Sequence, residues 1–274
     1  MIFLIVLIAF LLERFFHWRH WRHWHWVMHY ERLVSARMDG LPPWLVLSVI
    51  VLPFLLMIGM LQHLFTGVWD GSLQFIISFV VLLYCLGPDN LWVQAYHCIN
   101  QLNKQDPAAI NHARTAFGVA STDNPQTFHR AFVRAIFVAA HQRIFAVFFW
   151  FVLLGPVGAV AYRIIESIST QPISSAKIAA QTKGVLDWLP IRLTTFIFAL
   201  GGHFNSVFAY WKSEALTGPD TNEQFLTECG IAALDVVENN QLPETGLAEQ
   251  EALALIDRVF IIGLLLIAIV VLLN

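Results

Sequence analysis

An all-α, polytopic transmembrane bundle of about four to five spans, with re-entrant or interfacial helices beside them, is the fold class this sequence predicts. Three observations carry it. The chain is 57% hydrophobic and 13% charged, with a mean hydropathy of +0.63, outside the range of ordinary soluble domains. Its apolar residues are gathered into runs, the cleanest at 44–61 and 259–273. Two of the apolar stretches, 153–163 and 186–193, carry Gly, Pro and charge where a plain anchor would carry Leu. Irregular, charged backbone at membrane depth survives only where protein or a wet cavity covers it. That pair of stretches therefore marks a packed intramembrane centre.

The elements follow in order within one membrane-embedded domain spanning 1–274. Segment 1–43 begins with an apolar run, 1–12, closed by Glu13-Arg14. The run is short for a span, which needs roughly 20 residues, and extends through Phe15-Phe16 if Glu13 and Arg14 are paired inside a bundle. No basic region precedes it and no small-residue cleavage site follows, so it does not read as a cleavable signal. Segment 44–87 is a hairpin of two apolar runs, the first with Pro53 as a kink that membrane helices tolerate, the second ending at Gly87-Pro88. Segment 88–134 is polar, with turn signals at Asn103-Lys104-Gln105-Asp106-Pro107 and Ser121-Thr122-Asp123-Asn124-Pro125 and a short helix between them. Segment 135–201 bears the motifs; its apolar runs are interrupted by His141-Gln142-Arg143 and by a Ser/Thr/Lys/Gln linker at 167–183. Segment 202–257 is acidic with a helical pattern around 223–237 and a loop at 238–246, and 258–274 is the last span.

Pro190 disfavours helical geometry at Leu189, so the sequence predicts a helix whose first turn contains Pro190 and Arg192. Asp187 then lies just before it, near the positive helix end, able to cap free N–H groups or to pair with Arg163 or Arg192. Gly155, Pro156 and Gly158 read as a structural motif for close helix packing, with Pro190 in the same role. The stretch between Arg143 and Arg163 either crosses once or re-enters, and the re-entrant path keeps Lys177, Lys183 and Arg192 on the cytoplasmic side.

The most unusual local composition is His17-Trp18-Arg19-His20-Trp21-Arg22-His23-Trp24-His25-Trp26, continuing to His29-Tyr30. His25 and His29 stand at i, i+4 and could share a divalent metal. Trp and Arg interleaved in this way fit a helix at the headgroup level better, partly wrapped by lipid and protein. The formal charge of −3 and the absence of a Lys/Arg tract exclude a nucleic-acid partner. Cys85, Cys98 and Cys229 share no metal-ligand or CxxC spacing. Phosphate-loop, dinucleotide, HExxH and GxSxG signatures are missing.

Phe148-Phe149-Trp150, Gly155-Pro156-Val157-Gly158-Ala159, Tyr162-Arg163 and Trp188-Leu189-Pro190-Ile191-Arg192-Leu193 resemble the CobD/CbiB family, as does the segment from Asp106 to Arg114. The resemblance implies a relation to membrane enzymes that attach aminopropanol phosphate to adenosylcobyric acid. It is closer still to the shorter AmpE branch, inner-membrane proteins linked to β-lactamase induction. That branch is suggested by Glu13-Arg14 closing an apolar run, by the string at 185–193 and by Gly202-His203. Against the synthase pattern, an acidic string falls on Val138, Ala139 and Gln142, a Thr-Leu-Asp falls on Ser167-Ile168-Ser169, and paired Asp fall on Lys183-Gly184. A ligase that activates a carboxylate and handles phosphates normally needs carboxylates for Mg²⁺.

The resulting expectation is a non-catalytic, regulatory inner-membrane protein linked to β-lactamase induction or cell-wall sensing, with no cofactor. Its ligand-binding residues would be Tyr162, Arg163, Asp187, Trp188, Arg192 and His203. Expected partners are membrane lipids and a small ligand or cell-wall-derived muropeptide, with a homo-oligomer left open. Two alternatives stand beside it. One is a divergent adenosylcobinamide-phosphate synthase using Glu166 and Asp187, the other a transporter-like or metal-binding membrane protein using the His/Trp segment.

Arginine placement predicts the orientation. Arg14, Arg19, Arg22, Arg32 and Arg37 precede the hairpin and Lys104, Arg114, Arg130 and Arg134 follow it, whereas 63–72 carries no Lys or Arg. The positive-inside rule puts that loop outside. A Gly67→Cys variant should react with an impermeant maleimide added from outside; labelling from the cytoplasmic side alone would reverse the assignment.

Overall fold

The computed structural model describes residues 2–15, 24–38, 40–65, 71–87, 90–104, 108–119, 125–171, 173, 175–235 and 246–273. Among the described residues every regular element is helical and no strand occurs, in agreement with the all-α expectation. Four helical stretches are long and apolar enough to cross a membrane: Pro43–Leu64, Gln126–Ser169, Ala176–Gly201 and Leu247–Ile269. Ser72–Cys85 is a shorter apolar helix. The chain is therefore a membrane protein. Its contacts divide it into two compact units, Met1–Pro88 with Ala146–Asp187, and Asp89–Phe145 with Trp188–Asn274.

The first unit is built from α1 (Ile2–Phe15), α2 (His25–Arg37), α3 (Pro43–Leu64), α4 (Ser72–Cys85), α8 (Ala146–Ser169) and the first half of α9 (Ala176–Gly201). In α1, Ile5, Val6, Ala9, Phe10 and Glu13 are buried, a stripe at helical spacing, while Leu4, Leu11 and Phe15 face outward. The helix passes through Glu13 to Phe15, because that carboxylate is on the packed face. Proline opens α3 at its first turn, where the missing N–H has no intrahelical partner to lose. In α4 the buried residues are Ser78, Leu82 and Cys85, two of them small, and this face packs along α8. Trp24 and Trp26, at the end of the His/Trp segment, are held by protein: Trp26 Nε1 donates to Tyr84 Oη at 2.8 Å and its ring meets Phe54 edge-on. Residues 16–23 of that segment lie outside the described residues.

Helix α8 is broken at Gly155, whose φ of 67° and ψ of −157° lie outside the helical region and are open to glycine. The turn is sharp. A Cβ added at Gly158 would sit against the carbonyl oxygen of Trp150 and 2.7 Å from Leu154 Cβ. Eight residues of straight helix would separate positions 150 and 158 by about 12 Å along the axis. Pro156 follows the break, so its missing N–H removes nothing from a ladder that Gly155 has already ended.

Helix α9 differs from the sequence expectation. It starts at Ala176 and passes through Pro190 without ending, so Asp187 is in mid-helix and does not cap a new one. The expected linker 167–183 shrinks to the residues between Ser169 and Ala176. Ala176, Lys177, Ala179, Ala180, Gln181 and Lys183 are strong helix formers, and their summed propensity carries the helix to Pro190. One carbonyl loses its donor there, a loss that apolar helices tolerate when neighbours re-satisfy it.

The second unit contains α5 (Leu91–Asn103), α6 (Ala108–Phe117), α7 (Pro125–Ala140), a π-helical turn (His141–Phe145), the second half of α9, α10 (Phe204–Glu214), α11 (Asn222–Ala232) and α12 (Leu247–Leu273). Asn90 caps α5 by accepting from Val93 N at 3.1 Å. In α7 the buried face runs Phe128, Phe132, Val133, Ile136, Phe137 and Ala140, against α11 and α12. Gly230 makes the α11 approach possible: a Cβ there would lie 2.6 Å from Phe137 Cδ2. The interruption that the sequence shows at His141-Gln142-Arg143 is the π-turn, a geometry frequent at functional sites. The loop expected at 238–246 falls almost wholly outside the described residues.

Gly158 and Gly59 give a contrasting pair. Gly59 has open space around its Cα, so Gly59→Ala should gain up to about 1 kcal/mol of helix propensity. Gly158→Ala should cost about 1–3 kcal/mol through overpacking against backbone that cannot yield. Thermal melts in detergent that move both variants the same way would contradict the folded-back path at Gly155.

Candidate functional site

The residues singled out from sequence fall into separate clusters. In the first unit, Tyr162 and Arg163 come from α8 after the Gly155 break, and Lys183 and Asp187 from α9. Tyr162 Oη donates to Asp187 Oδ1 at 2.9 Å, and Lys183 Nζ donates to Asp187 Oδ2 at 2.7 Å. Arg163 pairs within its own helix, Nη1 lying 3.1 Å from Glu166 Oε2. Asp187 is 4% exposed and Arg163 5%, so these are charges that must be paired to remain in an apolar setting. Among the described residues Arg163 Nε and Nη1 have no hydrogen-bond acceptor, which marks Arg163 as an unfinished donor of the cluster. Lys183 was legible only if the helix was read through to Asp187, since the two form an i, i+4 pair.

In the second unit Arg192 is a clamp. Its Nε donates to Ala215 O at 3.0 Å, Nη2 to Thr217 O at 2.9 Å and Thr217 Oγ1 at 3.4 Å, and Nη1 to Trp188 O at 3.3 Å and to Asn222 Oδ1. Five acceptors meet the five N–H groups of a guanidinium. The Trp188 and Phe225 rings lie 4.8 and 4.9 Å from its central carbon, adding cation–π attraction. Trp188 Nε1 also donates to Thr217 O at 2.8 Å. Arg192 therefore ties α9 to the 215–222 turn and the start of α11, and its donors are engaged by the protein. His203, at the start of α10, pairs with Asp235 at 2.6 Å and both are exposed. His29 is exposed, and the side chain of His25 lies outside the described residues, so the metal expectation for that pair falls there too.

A cavity that sequence reasoning did not locate lies within the second unit. It has a volume of about 470 Å³ and is bounded by the end of α6, α7, the π-turn and the start of α11. Arg130, Arg134 and Arg143 line it together with Thr127, Gln142 and Glu223. Val138 and Ala139 line it as well. Thus Val138, Ala139 and Gln142, which stand where the synthase pattern has its acidic string, all face one space. Arg130 and Arg134 share one carboxylate, Glu228, with Arg130 Nη2 at 3.1 Å from Oε2 and Arg134 Nη2 on Oε1. Arg143 Nη1 donates to Gln94 Oε1 at 2.8 Å and Nη2 to Ala116 O at 3.3 Å. The acids near this space come from α11 instead of α7. A signal was present in the i, i+4 spacing of Arg130 and Arg134, but their partner is 94 to 98 residues away.

Beside the shared carboxylate, burial first and Glu228 second push the Cys229 thiol up to about 12, against a smaller lowering by Arg192. A thiol with that value stays protonated and unreactive at neutral pH. Among the described residues no three His, Cys, Asp or Glu side chains converge as a metal-binding set.

A family model described as CobD/Cbib protein matches residues 6–237. A cobalamin biosynthesis protein CobD from Chromobacterium violaceum is 29% identical over 114 residues, covering 39% of this chain and 36% of that protein. A cobalamin biosynthesis protein CobD from Stutzerimonas stutzeri is 26% identical over 213 residues, covering 73% of this chain and 66% of that protein. The chain thus spans about two thirds or less of the length of these relatives. No solved structure matches it. These findings correct the expectation of a non-catalytic regulator linked to β-lactamase induction, and with it the expectation that the chain is no enzyme. The relatives carry names from cobalamin biosynthesis. The step that failed was reading the departures at Val138, Ala139 and Gln142, at Ser167-Ile168-Ser169 and at Lys183-Gly184 as loss of the family's activity, when packing brings Glu223 of α11 to the cavity and Glu228 to two of its arginines.

Asp187 and Arg192 should respond differently to conservative change. Asp187→Asn keeps an acceptor for Tyr162 but leaves Lys183 uncompensated, so it should cost less than Asp187→Ala, which removes both contacts at about 3–5 kcal/mol. Arg192→Lys should be nearly as damaging as Arg192→Ala, because an ammonium cannot satisfy five acceptors in a fork. The check is the melting temperature and folded yield in detergent; a lysine variant as stable as the parent would remove Arg192 from its clamping role.

Proposed function

We propose, from the premise that the chain belongs to the CobD/CbiB family, that it is a membrane-embedded enzyme of cobalamin biosynthesis. In this reading it attaches aminopropanol phosphate to adenosylcobyric acid, and the cavity between α6, α7, the π-turn and α11 is its reaction site. The observation that carries the reading is the family match over residues 6–237, which runs through every wall of that cavity. The π-turn supports it, because it re-aims Gln142 and Arg143 out of the α-helical register of α7 toward the cavity. Within the family we assign the chain to the AmpE-like branch on Glu13-Arg14, the string at 185–193 and Gly202-His203. We assign it to the bacterial inner membrane on its apolar helices and the asymmetry of its arginines.

The chemistry asked of the cavity is electrostatic. A phosphate-bearing amine brings negative charge, and the guanidinium groups of Arg130, Arg134 and Arg143 supply fixed donors for it. Glu223, which lines the same cavity from α11, is the carboxylate for a substrate amine, where it can hold the ammonium or take its proton.

Purified protein incubated with adenosylcobyric acid, aminopropanol phosphate, Mg²⁺ and ATP should give a product heavier than adenosylcobyric acid by aminopropanol phosphate less one water. Glu223→Gln should lower its rate by about 10²-fold or more, the range of a lost acid–base group. No product under conditions where the Stutzerimonas stutzeri relative turns over would sink the reading.

A further inference from the structure

We infer that Arg130 and Arg134 form a phosphate-binding site in this cavity, and that Glu228 is the internal anion a bound phosphate displaces. The inference rests on the proposed function for the role of the cavity and on geometry alone for the chemistry of its ligand.

Arg130 and Arg134 stand at i, i+4 on α7, so their side chains leave the same helix face. Both reach one carboxylate on α11, and both of its oxygens are used, Oε2 by Arg130 and Oε1 by Arg134. A single negative charge thus holds two positive ones at the cavity wall. The pair keeps donors in reserve: each guanidinium has five N–H groups, and the bonds to Glu228 are made by Nη2 of each. Both side chains are partly exposed, at 34% and 42%, so an anion entering the cavity reaches them without unfolding α7.

The shape of the site selects phosphate over a simple carboxylate. Glu228 already offers a planar, singly charged, two-oxygen acceptor shared between two guanidinium groups. A phosphate monoester brings about two charges and three acceptor oxygens, enough for both guanidinium forks at once. Thr127 and Gln142 line the same space and can donate to the remaining oxygen. Phosphate bound here releases Glu228 from both arginines.

The phosphate can arrive on a soluble ester or on a lipid headgroup, because α7 begins one of the apolar stretches long enough to cross a membrane. Full-length protein in phosphate-free detergent would be titrated with inorganic phosphate by equilibrium dialysis at fixed ionic strength. Phosphatidic acid, whose headgroup is a phosphate monoester, would be measured in parallel by mass spectrometry of the lipid retained through purification. Arg130→Gln and Arg134→Gln should each weaken binding about tenfold, near one charge-assisted hydrogen bond. Glu228→Gln should tighten it by a similar factor, since the competing charge is gone while the amide still holds the helix contact. Loss of fold cannot imitate both directions.

Arginine-dependent binding of inorganic phosphate supports a soluble source. Arginine-dependent retention of phosphatidic acid without affinity for inorganic phosphate supports a headgroup. Neither signal, equal signals in the arginine variants, or no gain in Glu228→Gln overturns the site. The assay contains no corrinoid, so its result is separate from turnover. A chain that binds phosphate and makes no product fails as the synthase, whereas one that makes product without this binding keeps the synthase reading and loses the present inference together with the phosphate role given to Arg130 and Arg134.

Discussion

A charge inside an apolar helix must find its partners within the protein, and the geometry of both units can be traced to that requirement. Arg192 is the clearest case. A buried guanidinium in contact with no water would cost several kcal/mol, and here five protein acceptors and two aromatic rings surround it. To supply them, the chain after α10 turns back at Ala215 and Thr217 and starts α11 at Asn222. Asp187 imposes the same demand in the first unit, where Tyr162 and Lys183 meet both of its oxygens. The polar residues that look like errors in a membrane sequence are therefore the points where helices are joined.

Close approach is the second ingredient, and glycine provides it at few positions. Gly155 breaks α8 in a backbone conformation open to glycine, and Gly158 then lies against the carbonyl it would otherwise have left a full two turns behind. Gly230 seats α11 on the Phe137 ring. That second contact matters for the cavity, since α11 carries both Glu223 and Glu228 toward the arginines of α7. The π-turn completes the wall: one extra residue in the ladder rotates Gln142 and Arg143 relative to the regular helix before it.

The cavity gathers charge of both signs from helices far apart in the chain, and Val138, Ala139 and Gln142, where the resemblance places an acidic string, all face it. Along α7 the cavity is cationic, and along α11 it is acidic. Arg134 and Glu228 are 94 residues apart and only packing brings them together.

Much of the fold was legible without coordinates. The apolar runs at 44–61 and 259–273, the breaks at Gly155-Pro156 and His141-Gln142-Arg143, and the short helix before Phe117 all follow from hydropathy and backbone chemistry that act locally. Tyr162, Asp187 and Arg192 were legible as buried polar centres for the same reason, since their cost is set by the run around them. The course of α9 was not: the rule for the residue before proline is local, and the propensity of the preceding turn together with tertiary packing outweighed it. Nor were the partners of those charges, the shared carboxylate at Glu228 or the cavity itself. Sequence by itself determines which residues cannot stand alone in an apolar medium, because that penalty depends on the residue and its neighbours in the chain. Only the tertiary structure decides what answers them, because the acceptors lie on helices far apart in sequence and are joined by packing, which no local pattern encodes.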